Sequence, residues 1–176
     1  MFGTLIFQWE TLPNPEYDPL GQMNGCFNEF QRITPAQITD GLSQTIFAAD
    51  RAAGFLNRDR VIPLGRWTMT HGDTLIYGWH PPNRVFKEWG RGWYRTSLLP
   101  FGSASSQHSS GINVLMGDGS ARFVKDTIES WPLDPVTLHP AGMLNAVDGF
   151  ENVPRAGVWQ ALVTRSGGEV IGSGDY

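Results

Sequence analysis

The chain has 176 residues, enough for one domain with its own core and too few for two. Forty per cent are apolar and only 17% charged, which places the chain among folded proteins and excludes a disordered one. Thirteen basic against seventeen acidic residues leave a formal charge of -4, so nothing in the balance attracts nucleic-acid phosphates or anionic lipid.

No stretch approaches the ~20 apolar residues of a membrane span. The opening "MFGTLIFQWE" lacks the basic flank and the cleavage site of a signal peptide. Twenty-one glycines and twelve prolines predict many turns and short elements, and so a β-rich or loop-rich fold without long helices. Cys26 is the single cysteine, which rules out an intrachain disulfide and reads as a small buried thiol.

In chain order, residues 1–9 predict a strand, and "LPNPEYDPLG" at 12–21 a proline-punctuated loop. Pro35 opens a short helical turn, which Asp40-Gly41 breaks. "TIFAAD" then predicts a strand with Ile46 and Ala48 on one face. Residues 51–104 predict long loops laid over a sheet.

The clearest element is a hairpin at 112–125. Asp118-Gly119 suits a two-residue type I′ turn, in which both positions take positive φ. Closure there would pair Met116 with Ala121 and Val114 with Phe123, setting Ile112, Val114, Met116, Ala121 and Phe123 on one apolar face. Residues 131–156, with four prolines, predict an inserted loop. Val158, Trp159, Ala161 and Leu162 predict a helical face, with Arg165 at the C-terminal dipole and Gly167-Gly168 as the stop.

The chemistry is sparse. His108 and Asp118 invite a catalytic pairing, yet a hairpin strand of this length separates its entry from its tip by roughly 20 Å, against a hydrogen-bond reach of about 3 Å. Asp118 and Gly119 therefore read as turn residues, Asp40 and Gly41 as a second turn, and His108 as an anchor at the strand's start, bonding a carbonyl or a neighbouring carboxylate.

A triad of Ser43, His108 and an aspartate can be written, but Thr45 stands where a nucleophile elbow needs its second glycine. No enzyme is expected. His71, Asp73 and His80 match no metal-ligand spacing, and the Asp-Gly pairs at Asp40, Asp118 and Asp148 are explained as turns, so no cofactor is expected and calcium has no specific support.

The aromatic and basic stretch 77–95 supports two readings. Trp79, Trp89 and Trp93, rimmed by Arg84, Arg91 and Arg95, could form a contact surface for a glycan, a peptide or another subunit. The reading that the residues favour is the simpler one, that the rings cover the sheet.

"His108-x9-Asp118-Gly119" followed by "SARFVKD", "ITDGLSQTIFAAD", and "VWQALVTRSGGEVIGSGDY" together resemble the landmarks of a large bacterial family of unknown function. Its prepilin-type members carry a C-terminal domain named for the His-x9-Asp-Gly pattern, and the family is also labelled a family 10 solute-binding protein. The likeness covers residues 24–50, 105–130 and 157–176.

The resemblance implies a pilin-like or pseudopilin-like protein of the cell envelope or secreted space, which meets protein subunits of a filament or surface assembly. Members begin with a prepilin helix; residues 1–23 do not supply one. The expectation is thus a single α+β head domain over 1–176: an antiparallel β-sheet with strands near 45–50, 112–117 and 120–125, long Gly/Pro-rich loops and a short C-terminal helix near 157–165, without the N-terminal pilin helix.

Overall fold

The computed structural model describes residues 24–27, 32–52, 76–87, 102–136, 138–146, 149–169 and 171–172. The strand expected at 1–9 lies outside them.

Three strands form an antiparallel sheet: β1 (Ile46–Ala49), β2 (Gly111–Met116) and β3 (Ala121–Lys125), in the order β1-β2-β3. The small three-stranded sheet and the scarcity of helix agree with an α+β or mostly-β domain. Alternation in β2 explains its central place: Ile112, Val114 and Met116 are buried while Asn113 and Leu115 face outward.

The β2–β3 register corrects the expected one by a single residue. Ile112 pairs with Val124, Val114 with Arg122 and Leu115 with Ala121. The loop is three residues long, with Met116 N–H donating to the Ser120 carbonyl at 2.8 Å and Gly119 N–H to that of Met116 at 3.0 Å. Only Gly119 takes positive φ in the turn, at 86°.

A type I turn closed by a left-handed glycine asks that geometry of one residue, whereas type I′ would also force Asp118 into it. Gly117 N–H gains a partner besides, the Thr45 carbonyl at 2.8 Å. One residue of slip exchanges the faces of β3: Val124 is 1% exposed, and Phe123, expected in the core, is 44% exposed. Ala121 likewise faces solvent.

β1 also departs from simple alternation. Ile46 pairs with Met116 but Ala48 with Leu115, so Phe47 is an extra residue in a bulge and Ile46 and Ala48 do not share a face. Phe47 packs edge-on against Phe27, with ring centroids 5.4 Å apart.

Residues 35–37 form a 3-10 turn headed by Pro35 and closed by a capping box between Thr34 and Gln37, and 42–44 form a second 3-10 turn. A four-residue helix, α1 (Arg84–Lys87), follows Asn83, and Lys87 pairs with Asp126 at 2.6 Å. Helix α2 (Val158–Val163) buries Trp159 and Leu162 against the sheet's inner face, completing a core with Ile46, Ile112, Val114 and Met116.

The region expected as a plain loop carries a two-stranded antiparallel ribbon, β4 (Leu144–Ala146) with β5 (Gly149–Glu151). Past the helix end, Arg165 Nη1 donates to the Gly25 carbonyl at 2.7 Å, and the Thr164 hydroxyl bonds the Ala161 carbonyl.

Candidate functional site

The landmark residues occupy both ends of β2. At the entry, "SSQHSSG" makes a tight turn whose last step, Ser110, takes a left-handed φ of 69°. Ser106 organises it: its hydroxyl donates to the Gly111 carbonyl at 2.7 Å and accepts the His108 N–H at 2.9 Å. Asn83, itself left-handed at 62°, accepts the Ser106 N–H and donates to the same Gly111 carbonyl. Ser106 and Asn83 are buried, and each of their side-chain polar atoms has a partner, as burial requires.

The His108 ring stands outside this knot. Its Nε2 lies 3.6 Å from Asp50 Oδ2, with the histidine side chain 57% exposed. The Asp50 carboxylate is fixed by Asn113, which donates to Oδ2 through its backbone N–H at 2.8 Å and its side-chain amide at 3.1 Å. An exposed imidazole beside an oriented carboxylate can contact a partner. Asp50 and Asn113 were not singled out in the sequence, although their positions at the end of one strand and inside the next could have suggested that they meet.

At the far end, Asp118 Oδ1 accepts both the N–H and the hydroxyl of Ser120, at 2.9 and 2.7 Å. Those bonds hold its carboxyl below the usual carboxylate value. Asp118 N–H donates to the Leu42 carbonyl, so the hairpin tip is stitched to the turn after Asp40-Gly41, where Gly41 takes φ 94°. The Asp40 carboxylate accepts the N–H groups of Gly167 and Gly168.

Three stretches distant in sequence thus converge through backbone hydrogen bonds. The structure does not bring together the catalytic sets written from sequence. Ser43 sits in the 42–44 turn beside the hairpin tip, whereas His108 lies beyond the opposite end of six-residue β2, roughly 20 Å away at ~3.3 Å per residue.

His80 is fully buried between the Leu138 carbonyl and the Ser103 hydroxyl; His71 and Asp73 lie outside the described residues, as does Asp148. Among the described residues no three His, Cys, Asp or Glu side chains are grouped to hold a metal ion.

Of the proposed contact surface, Trp79 and Arg84 are described, and Trp89, Arg91, Trp93 and Arg95 are not. Trp79 is half-buried, its ring 6.0 Å edge-on from His139 and 6.1 Å from Tyr77. Arg84 is exposed on α1. Among the described residues no helix is long and apolar enough to cross a membrane.

No curated protein and no solved structure matches the chain. A family profile described as "Protein of unknown function (DUF1559)", with the short name SBP_bac_10, matches residues 5–130. The match takes in residues 51–104, which the three landmarks left out, and stops ahead of the 157–176 stretch. Covering well over half of the chain, it shows that this protein belongs to the DUF1559 family.

Proposed function

We propose that the chain is a pilin-like or pseudopilin-like structural subunit, an extracytoplasmic assembly component that acts through protein contacts and not by catalysis. The observation that carries this reading is the outer face of the sheet. Leu115 and Phe123, on neighbouring strands and diagonal in register, are 43% and 44% exposed. Strands that each leave a large apolar side chain exposed on one sheet face suit a protein interface, with the Phe123 ring lying over Gly111.

The landmark polar groups support the same reading, because Asp40, Asp118 and Ser106 serve backbone donors and acceptors of the fold itself. The resemblance to prepilin-type proteins supplies the location, the cell envelope or secreted space, and the solute-binding label favours the same side of the membrane.

The test is a photoreactive benzoylphenylalanine placed at Phe123 in cells that make the chain. A discrete crosslinked polypeptide in the envelope fraction, lost in Leu115→Glu, is expected. A chain that forms no crosslink and fractionates with the cytosol refutes the reading.

The half-buried Trp79 favours one alternative, a carbohydrate- or peptide-binding module on residues 77–95. Tryptophan fluorescence titrated with glycans and peptides decides it: a saturable shift lost in Trp89→Ala supports binding, and a flat titration removes it.

A further inference from the structure

The ladder between β2 and β3 fixes where the backbone of β3 points. Met116 N–H donates to the Ser120 carbonyl at one end and Asp126 N–H to the Ser110 carbonyl at the other, with unbroken register between them. Arg122 and Val124 therefore turn their N–H and carbonyl groups toward β2. Ala121, Phe123 and Lys125, at the alternate positions, turn theirs to the opposite side, and β3 is the last strand in the sheet order β1-β2-β3.

Among the described residues those outward groups have no backbone partner apart from the Lys125 carbonyl, which accepts the Ile128 N–H at 3.2 Å. Ala121, Phe123 and Lys125 are all exposed. Sheets guard such edges with prolines, bulges or a covering segment. The other edge strand, β1, carries a bulge at Phe47, whereas β3 has neither a bulge nor a proline. The Phe123 ring lies over Gly111 on β2, away from the open side of its own backbone.

We propose that the protein self-associates through β3, two copies pairing their edge strands antiparallel about a two-fold axis at Phe123 to form one continuous sheet. The inference rests on the protein-contact reading above and names the partner, a second copy of this chain.

The strand is complementary to itself in that arrangement and in few others. Its outward groups are spaced evenly about Phe123, so the axis sets Phe123 N–H against the carbonyl of the partner's Phe123 and Lys125 N–H against the carbonyl of the partner's Ala121, each twice over by symmetry. Long Lys125 then lies opposite small Ala121, and Arg122 opposite Val124. The two Lys125 residues are roughly 13 Å apart along the strands at ~3.3 Å per residue, beyond the Debye length of about 8 Å. Parallel in-register pairing would instead stack Lys125 on Lys125 and Arg122 on Arg122, which like-charge repulsion disfavours. Each hydrogen bond replaces one to water and contributes little alone, so the pairing shows itself at high protein concentration.

Sedimentation equilibrium of the intact purified chain over a wide range of concentration tests this. The mass is expected to rise toward that of two chains. Lys125→Pro removes an outward N–H and no bond to β2, and symmetry doubles the loss, so the dissociation constant should rise at least about tenfold. Lys125→Ala keeps the N–H and should stay within about threefold of wild type.

A cysteine pattern checks the register and serves where Lys125→Pro does not fold. Directly opposed residues of such a pair have Cα atoms about 5.5 Å apart, within disulfide reach, so Phe123→Cys should give a disulfide-linked dimer on oxidation. Ala121→Cys alone should not, but mixed with Lys125→Cys it should. The wild-type chain, whose lone Cys26 is buried, is the blank.

A monomer at every concentration overturns the proposal, as does a dimer indifferent to Lys125→Pro or an Ala121→Cys chain that links to itself as readily as Phe123→Cys. A monomer whose photocrosslink from position 123 runs to a different polypeptide overturns the self-pairing and leaves the protein-contact reading standing. A β3 dimer in a chain that fractionates with the cytosol supports the pairing and refutes the envelope location.

Discussion

Asp40 holds the backbone of Gly168: its Oδ1 accepts the Gly168 N–H at 2.8 Å while Oδ2 accepts that of Gly167 at 2.7 Å. Asp40 N–H in turn donates to the Arg165 carbonyl, and Arg165 reaches the Gly25 carbonyl. A turn near the first strand thereby pins the segment after α2, which in turn holds residues 24–27. Charge-assisted bonds to a carboxylate are stronger than neutral ones. Asp40→Ala is expected to cost about 2 kcal/mol in urea unfolding, and Asp40→Asn about half of that.

Register in the hairpin can be read by two substitutions on adjacent residues. Val124→Ala opens a cavity in the core and should cost about 2 kcal/mol, whereas Phe123→Thr on the outer face should cost under about 1 kcal/mol. The two-residue turn would reverse that order, so denaturant midpoints of the two variants decide between the registers.

Gly119 has open space where a Cβ would stand, so its only demand is the left-handed backbone at φ 86°. Gly119→Ala should lose about 1 kcal/mol and Gly119→Asn distinctly less, since asparagine tolerates that region. Equal losses in thermal unfolding would place a steric clash, not backbone strain, at the turn.

Gln160 is a buried polar side chain with every group engaged: its amide nitrogen donates to the Gly78 carbonyl and the Ser130 hydroxyl, and its oxygen accepts the Trp131 N–H. Gln160→Ala leaves the Gly78 carbonyl and the Trp131 amide without that partner. A loss of about 3 kcal/mol is expected, measured by chemical unfolding, and a loss within ~0.5 kcal/mol would mean that water replaces the side chain.

Acid should weaken the domain through His80. The ring's folded pKa is about 4, below its ordinary 6.5, so the unfolded chain takes up the proton first as pH falls. The stabilisation is complete above pH 6.5 and declines down to about pH 4, by an upper bound of about 3 kcal/mol. His80→Gln should flatten the urea midpoint across that window.

The hairpin, the strand after Asp40-Gly41 and the C-terminal helix were legible because each carries a local signal: alternation around an Asp-Gly pair, a turn followed by apolar β-formers, or an apolar helical face ended by glycines. The register was not. Type I′ and the three-residue turn both place Asp-Gly near the tip, and apolar residues at both 123 and 124 made either face of β3 plausible. The choice fell to contacts from elsewhere, such as the bond from Gly117 to Thr45.

The candidate site divides in the same way. The spacing of His108 and Asp118 along one ribbon was enough to separate them, but the actual neighbour of His108, Asp50, comes from another strand, and no local pattern announces such a pairing. Local preferences of the backbone mark which segments turn, alternate or coil, and these are readable residue by residue. That Phe123 faces solvent, that Asp40 serves Gly167 and Gly168, and that His80 bonds Leu138 follow instead from packing that joins chain segments far apart.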